Sequence, residues 1–287
     1  MKKTALILAL LGSFVVPPAQ AKPKGHLFIV GGGDLPAEMT KRFIALAERY
    51  DRGRILVFPM AGASPAESGP EQVKEFKDLG AKDVEFRILT REQALLPETA
   101  AILDGVGGVY FTGGDQARVT RILVGTPFQK KLVERYEAGA VIGGTSAGAA
   151  VMSEVMITGD EVRKPEAGRE FETIEAGNVI TTPGLGFIRT AVIDQHFATR
   201  KRHNRLISVL AEHPALLGIG IDESTAVIIR PDETFEVIGL KDVVVYDPAK
   251  ARFKIGPAKS IAVEGLVLHV LLPGSVYDLK TRRIRER

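Results

Sequence analysis

The sequence predicts an α/β fold, a mostly parallel doubly wound sheet with helices on both faces and a C-terminal antiparallel β extension. Two patterns carry that prediction. From residue 26 onward, short apolar runs alternate with longer amphipathic ones, the order that buries a parallel sheet between two helical layers. Between residues 234 and 270 the runs become short, β-branched and separated by Gly, Asp and Pro, as antiparallel strands require.

In chain order, strands are expected at 27–30, 54–58, 83–89, 108–111 and 140–142, where apolar runs are too short for helices. Helical periodicity lies between them at 37–50, 71–79 and 91–103. A further helix pair spans 115–138, interrupted by Gly125-Thr126-Pro127. A polar stretch at 159–177 reads as a surface excursion or a lid. Strands then resume at 179–182, 216–221 and 226–229, with an Arg-rich helix expected at 200–212. The basic tail at 280–287 reads as a solvated end.

The N-terminus is set apart from this fold. Lys2 and Lys3 precede an apolar run of about a dozen residues, shorter than a membrane span needs, and Ala19-Gln20-Ala21 offers a small-residue cleavage site. Residues 1–21 are therefore expected to be a cleaved signal peptide, leaving 22–287 as one α/β hydrolytic unit in a secreted or periplasmic location. No membrane partner is expected after cleavage. The absence of cysteine excludes disulfides, thiolate metal sites and a cysteine nucleophile. Losing the two leader lysines brings the formal charge of +3 to about +1, a balance that does not point to nucleic acid. The oligomeric state is left open, a homodimer being compatible with the sequence.

Gly144-Thr145-Ser146-Ala147-Gly148 follows a predicted strand and precedes an apolar run, the setting of a nucleophile elbow. Flanking glycines let neighbouring backbone approach a serine held on a sharp turn. The Ala147 amide then stands at a helix start, where it can donate to an oxyanion. Serine needs a base, and five histidines are available. His26 and His269 lie in apolar runs, and His213 ends a helix. His196, in Asp194-Gln195-His196-Phe197, ends an apolar stretch beyond a glycine-bounded turn and is the candidate. For the carboxylate that orients the imidazole, Asp222 and Glu223 both follow a predicted strand. Adjacent positions point apart, so only one can serve.

Taken together, Phe111-Thr112-Gly113-Gly114-Asp115-Gln116, Gly143 to Ala149, Asp194 to Phe197 with Arg200, Arg202 and Arg205, and Gly218-Ile219-Gly220-Ile221-Asp222-Glu223 resemble one family. It is the cyanophycinase branch of the serine peptidase family that also contains aspartyl dipeptidases, within the class I glutamine-amidotransferase-like superfamily. The resemblance implies a Ser146, His196, Glu223 triad. It also implies a substrate made of a polyaspartate backbone carrying arginine on its side-chain carboxyls, cut by an exopeptidase to β-aspartyl-arginine dipeptides through an acyl-enzyme. Attack is expected at the β-amide carbonyl, with the oxyanion held by the Ala147 and Gly114 amides. Arg200, Arg202 and Arg205 are expected to meet substrate carboxylates, Asp115 or Asp194 the guanidinium, and Gln116 and Gln195 the amides. A small aspartyl or isoaspartyl peptide is the alternative substrate.

Two other readings compete. Lipases and esterases share the glycine-flanked serine, but there the acid precedes the histidine, whereas here the order is serine, histidine, glutamate. A non-catalytic anion-binding module would use the same turn without an activating base. Gly31-Gly32-Gly33 follows the first strand, but a dinucleotide fingerprint would need a glycine where Pro36 stands. With no Walker lysine and no metal-ligand motif, no cofactor and no metal are expected.

Overall fold

The computed structural model describes residues 23–286, so the expected leader at 1–21 lies outside the described residues. The N-terminal half runs β1 (Leu27–Val30), α1 (Ala37–Ala47), β2 (Arg54–Phe58), α2 (Pro65–Asp78), β3 (Val84–Phe86) and α3 (Arg91–Leu95). A 3-10 turn (Pro97–Leu103), β4 (Val106–Phe111), α4 (Gln116–Leu123), α5 (Pro127–Ala138), β5 (Val141–Thr145) and the short α6 (Ala147–Ala150) follow. The C-terminal half runs β6 (Val155–Glu161), β7 (Val179–Pro183), β8 (Ala191–Gln195), α7 (His203–Glu212), β9 (Leu217–Ile221), β10 (Thr225–Ile229), β11 (Thr234–Gly239) and β12 (Val243–Asp247). It closes with β13 (Arg252–Ile255), β14 (Ile261–Glu264), β15 (Val267–Leu271), β16 (Val276–Asp278) and β17 (Arg283–Arg285).

Nine strands form the central sheet in the order β17-β16-β11-β10-β1-β5-β4-β2-β3. The five from β1 to β3 in that order are parallel, and β10, β11, β16 and β17 extend them antiparallel. Alternation along each strand divides its side chains between two cores. Phe28, Val30, Ile55, Val57 and Tyr110 meet Phe43 of α1 and Phe76 of α2 on one face. Leu27, Ile29, Leu56, Phe58, Val109 and Phe111 meet α3 to α6 on the other. Both faces being covered, every residue of β1 is buried.

The expected strand at 216–221 does not join this sheet. It is β9, in a second, four-stranded sheet of order β15-β12-β9-β8. Ile193, Ile219 and Val245 on its inner face complete the core beneath the central sheet, while Val192, Val244 and Tyr246 on its outer face pack on Leu206, Val209 and Leu210 of α7. The C-terminal strands are thus divided among the edge of the large sheet, the small one and a separate β13–β14 hairpin. Strand β8, read from sequence only as an apolar stretch, is parallel to β9, with Gln195 opposite Ile221.

Other departures have local causes. The helix expected at 91–103 breaks at Leu96, because Pro97 cannot donate to the preceding turn and opens a 3-10 segment instead. Helix α2 begins at Pro65 rather than 71, since Pro65 occupies a helix-starting position where its missing N–H costs nothing. The Arg-rich helix begins at His203, leaving Arg200 and Arg202 in the preceding turn, where Lys201 has a φ of 53°. The excursion opens with the end of β6 and then returns across α7: the Asn204 amide donates to the Glu172 carbonyl at 2.8 Å and the Gly177 amide to Glu212 at 2.7 Å. Among the described residues no helix is long and apolar enough to cross a membrane.

Candidate active site

Strand β5 ends at Thr145, and Ser146 follows with φ 54° and ψ −112°, a left-handed turn rare for a residue with a side chain. The flanking glycines have the expected reason: a side chain on Gly144 would strike the Gly148 carbonyl, and one on Gly148 the Phe111 carbonyl. Ser146 Oγ lies 2.8 Å from His196 Nε2, and His196 Nδ1 lies 2.6 Å from Glu223 Oε1. The three side chains therefore form one line, reaching from β5 of the large sheet to the ends of β8 and β9 in the small one.

Burial draws the His196 imidazole below its ordinary pKa. The hydrogen bond to Glu223 opposes this, and the charges of Arg200 and Arg202 reinforce it. The ring is consequently neutral at neutral pH and able to accept a hydroxyl proton, and Glu223 is placed to fix its tautomer. Asp222, the other carboxylate that spacing allowed, faces away. It accepts from the Thr199 amide at 3.0 Å and lies 3.3 Å from Lys241 Nζ. Burial pushes its carboxyl upward, but the hydrogen bonds from the amides of Thr199 and Glu223 and from the side chains of Thr199 and Lys241 outweigh this and hold it below the usual range.

Similarity to known proteins identifies the family. The model for peptidase family S51 matches residues 27–238. The cyanophycinase of Trichormus variabilis is 34% identical over 270 residues, covering 91% of this chain and 88% of the relative. That of Geminocystis herdmanii is 34% identical over 269 residues, covering 91% and 96%. The crystal structure of a peptidase from an acI-B1 Actinobacterium shares the fold, with a TM-score of 0.65 at 24% identity, over 90% of this chain and 98% of that one. This chain belongs to peptidase family S51. It is a serine-type peptidase.

The remaining candidates of this S51 peptidase divide by what they touch. Arg205 and Asp194 close on each other: both are almost fully buried, the guanidinium is bidentate on the carboxylate, and Phe171 of the excursion covers it with its ring centroid 5.0 Å away. Arg202 donates to the Gln195 carbonyl and to Gln195 Oε1, each at 2.7 Å. Burial and the neighbouring Arg205 bring the Arg202 guanidinium down to about 10, so it stays charged at neutral pH. Arg200 is exposed and, among the described residues, in no ion pair. Gln116 spends its amide donors on the Ile157 and Thr158 carbonyls at 2.9 and 2.6 Å. Asp115 caps α4 by accepting from the Ala117 amide at 2.8 Å. Ala147 opens α6 beside the serine. Of the Gly113–Gly114 turn, Gly113 faces Ser146, whereas Gly114 turns toward Ala61.

Sequence reasoning passed over the residues that hold the line together. The run Gly31-Gly32-Gly33, dismissed as a cofactor loop, is its seat. The Gly31 carbonyl accepts from the His196 amide at 2.7 Å and the Gly32 carbonyl from the Ser224 amide at 2.8 Å. A Cβ on Gly32, whose φ is 103°, would lie 2.4 Å from His196 Nε2. The available signal was a glycine run after a buried strand that failed the dinucleotide spacing.

Gly32→Ala is expected to displace the imidazole and to strain a left-handed backbone by about 1–3 kcal/mol. Ester hydrolysis by the purified variant should fall by about two orders of magnitude or more, with a lowered melting midpoint. For the two adjacent acids, Glu223→Gln should reduce turnover by orders of magnitude with little change in melting. Asp222→Asn should act chiefly on melting, because it loosens the Thr199 turn and leaves the histidine's partner in place. The opposite ranking would reassign the acid.

Proposed function

We propose that this S51 peptidase is an exported cyanophycinase-like exopeptidase in which Ser146 is the nucleophile, His196 the general base and acid, and Glu223 the orienting carboxylate. The continuous Ser146–His196–Glu223 line, with contacts of 2.8 and 2.6 Å, is the observation that carries the catalytic part. The substrate class rests on the cyanophycinase relatives, and export on the leader read from the sequence.

Atom balance moves the expected point of attack. Cleavage of the β-amide would release free arginine and leave polyaspartate. Release of β-aspartyl-arginine dipeptides requires attack on the main-chain amide between aspartyl units. In that step Ser146 Oγ bonds to the main-chain carbonyl carbon as His196 takes its proton. The tetrahedral oxyanion accepts from the Ala147 amide, with the second donor an amide of the Gly113–Gly114 turn, whose Gly113 faces Ser146. His196 then protonates the departing aspartyl amine, the C–N bond breaks, and water activated by the same imidazole releases the acyl group.

Each repeat of the polymer offers one free carboxylate and one guanidinium. Exposed and unpaired, Arg200 suits the carboxylate. Arg202 and Arg205 act indirectly in this reading: the first braces Gln195, the second holds Asp194, and both stiffen the strand end that presents His196.

Ser146→Ala should abolish dipeptide release, followed by mass analysis of digested polymer, without lowering the melting midpoint. Wild-type-like release would remove the serine from this role. Arg200→Gln should weaken polymer cleavage by about tenfold while a small activated ester is cut nearly as before. Cleavage of aspartyl dipeptides without any of the polymer would favour the small-peptide alternative. The acid limb of the ester profile should lie below pH 6.5, the ordinary imidazole value, because activity is lost only as pH falls through the lowered His196 pKa. Removing the Arg200 charge lets that pKa rise, so the limb should shift to higher pH in Arg200→Gln.

A further inference from the structure

Helix α2 carries three carboxylates on one face, Glu67, Glu71 and Glu75, each four residues from the next. All are exposed, and among the described residues none lies within ion-pair distance of a lysine or arginine, although Lys74 on the same helix pairs with Asp78. Only Glu75 has a local partner, accepting from the Gln72 amide at 2.7 Å. Like charges at this spacing repel by a few tenths of a kcal/mol per pair, so the row is destabilising as it stands.

The row lines a trough whose opposite wall is Thr112 and Gly113, at the end of β4. Thr112 supplies an independent observation. Thr112 is 7% exposed, and among the described residues its Oγ1 has no hydrogen-bond partner, a costly arrangement for a buried hydroxyl. Gly113 joins the trough to the proposed nucleophile, since a Cβ built on it would lie 3.9 Å from Ser146 Oγ. The trough therefore starts beside Ser146 and runs away along α2, on the far side of the serine from the arginine-bearing turn.

We propose that this trough is a cation subsite that takes guanidinium side chains of substrate units flanking the bond to be cut, with Glu67, Glu71 and Glu75 supplying charge and Thr112 Oγ1 a neutral acceptor at its inner end. The proposal rests on the function argued above and adds to it the residues that select a positively charged side chain. A guanidinium has donors in a planar fork that carboxylates spaced along a helix can share. One such group would relieve the repulsion within the row and satisfy the orphan hydroxyl.

The test measures binding rather than turnover. Short oligo-aspartates labelled at one end, bearing either arginine or citrulline on every β-carboxyl, are titrated by fluorescence anisotropy against the Ser146→Ala protein. Citrulline keeps the shape of arginine and removes its charge. The arginine oligomer should bind about tenfold more tightly, and the preference should shrink to about threefold or less when Glu67→Gln, Glu71→Gln and Glu75→Gln are combined in that background. Thr112→Val, which keeps side-chain shape, should weaken the arginine oligomer alone while melting stays level or rises. No preference for arginine, or one that survives the triple substitution, overturns the proposal, as does failure of the arginine oligomer to bind. Failure of the catalytic reading is separately visible as undiminished polymer hydrolysis by the Ser146→Ala protein, and it leaves the binding comparison intact.

Discussion

Three successive carbonyls at the end of β1 hold the candidate site together. Val30 accepts from the Ser146 amide at 3.1 Å, Gly31 from the His196 amide at 2.7 Å and Gly32 from the Ser224 amide, next to Glu223, at 2.8 Å. The three segments come from β5, β8 and β9, which belong to two different sheets, and side-chain contacts alone would not fix their spacing to a few tenths of an ångström. A buried strand that cannot shift, because both its faces are packed, supplies the reference against which all three are set. Ser146 and His196 each occupy a left-handed backbone conformation there, a strain that persists only when the surroundings over-determine it.

That arrangement explains what was legible in the sequence and what was not. The parallel half of the fold could be read because each strand is a short apolar run bounded by glycine or a helix start, and the serine turn because its glycines have a local steric cause. The choice between Asp222 and Glu223 was invisible to spacing. It depends on β9 lying beside β8, so that Glu223 turns toward His196 and Asp222 toward Thr199, a long-range pairing that no local pattern encodes. The second sheet escaped notice for the same reason: a run such as Leu217–Ile221 is equally apolar whether it extends the large sheet or packs beneath it.

The arginine cluster illustrates the opposite failure, in which composition suggested too uniform a role. Three arginines within six residues read as one charged face, yet the helix starts late and separates them. Arg205, in α7, is drawn inward because Asp194, at the end of the parallel strand β8, would otherwise be a buried carboxylate with only the more distant Arg202, 3.8 Å away, beside it. Arg202 follows part of the way. Phe171, from the stretch whose sequence reads as a surface excursion or a lid, covers the buried pair, so the excursion is tied to the strand that leads into His196. Movement of that loop would thus be felt at the histidine through Arg205 and Asp194.

The proposed function places unusual demands on electrostatics, because a polymer unit with one carboxylate and one guanidinium has no net charge to steer it. A protein with a formal charge of +3 over its full length gains little from its overall field in meeting such a chain. What can discriminate is separation of charge within the site. Arg200 stands on the histidine side of Ser146, and the unpaired carboxylates of α2 stand along a trough on the other. A zwitterionic unit laid across the serine in one direction meets complementary charge at both ends, and in the reverse direction it meets like charge at both. The penalty for the wrong orientation is therefore counted twice, and the scissile amide is presented to Ser146 from one side. On this view the same charges that contribute little to stability set the direction in which the chain is read.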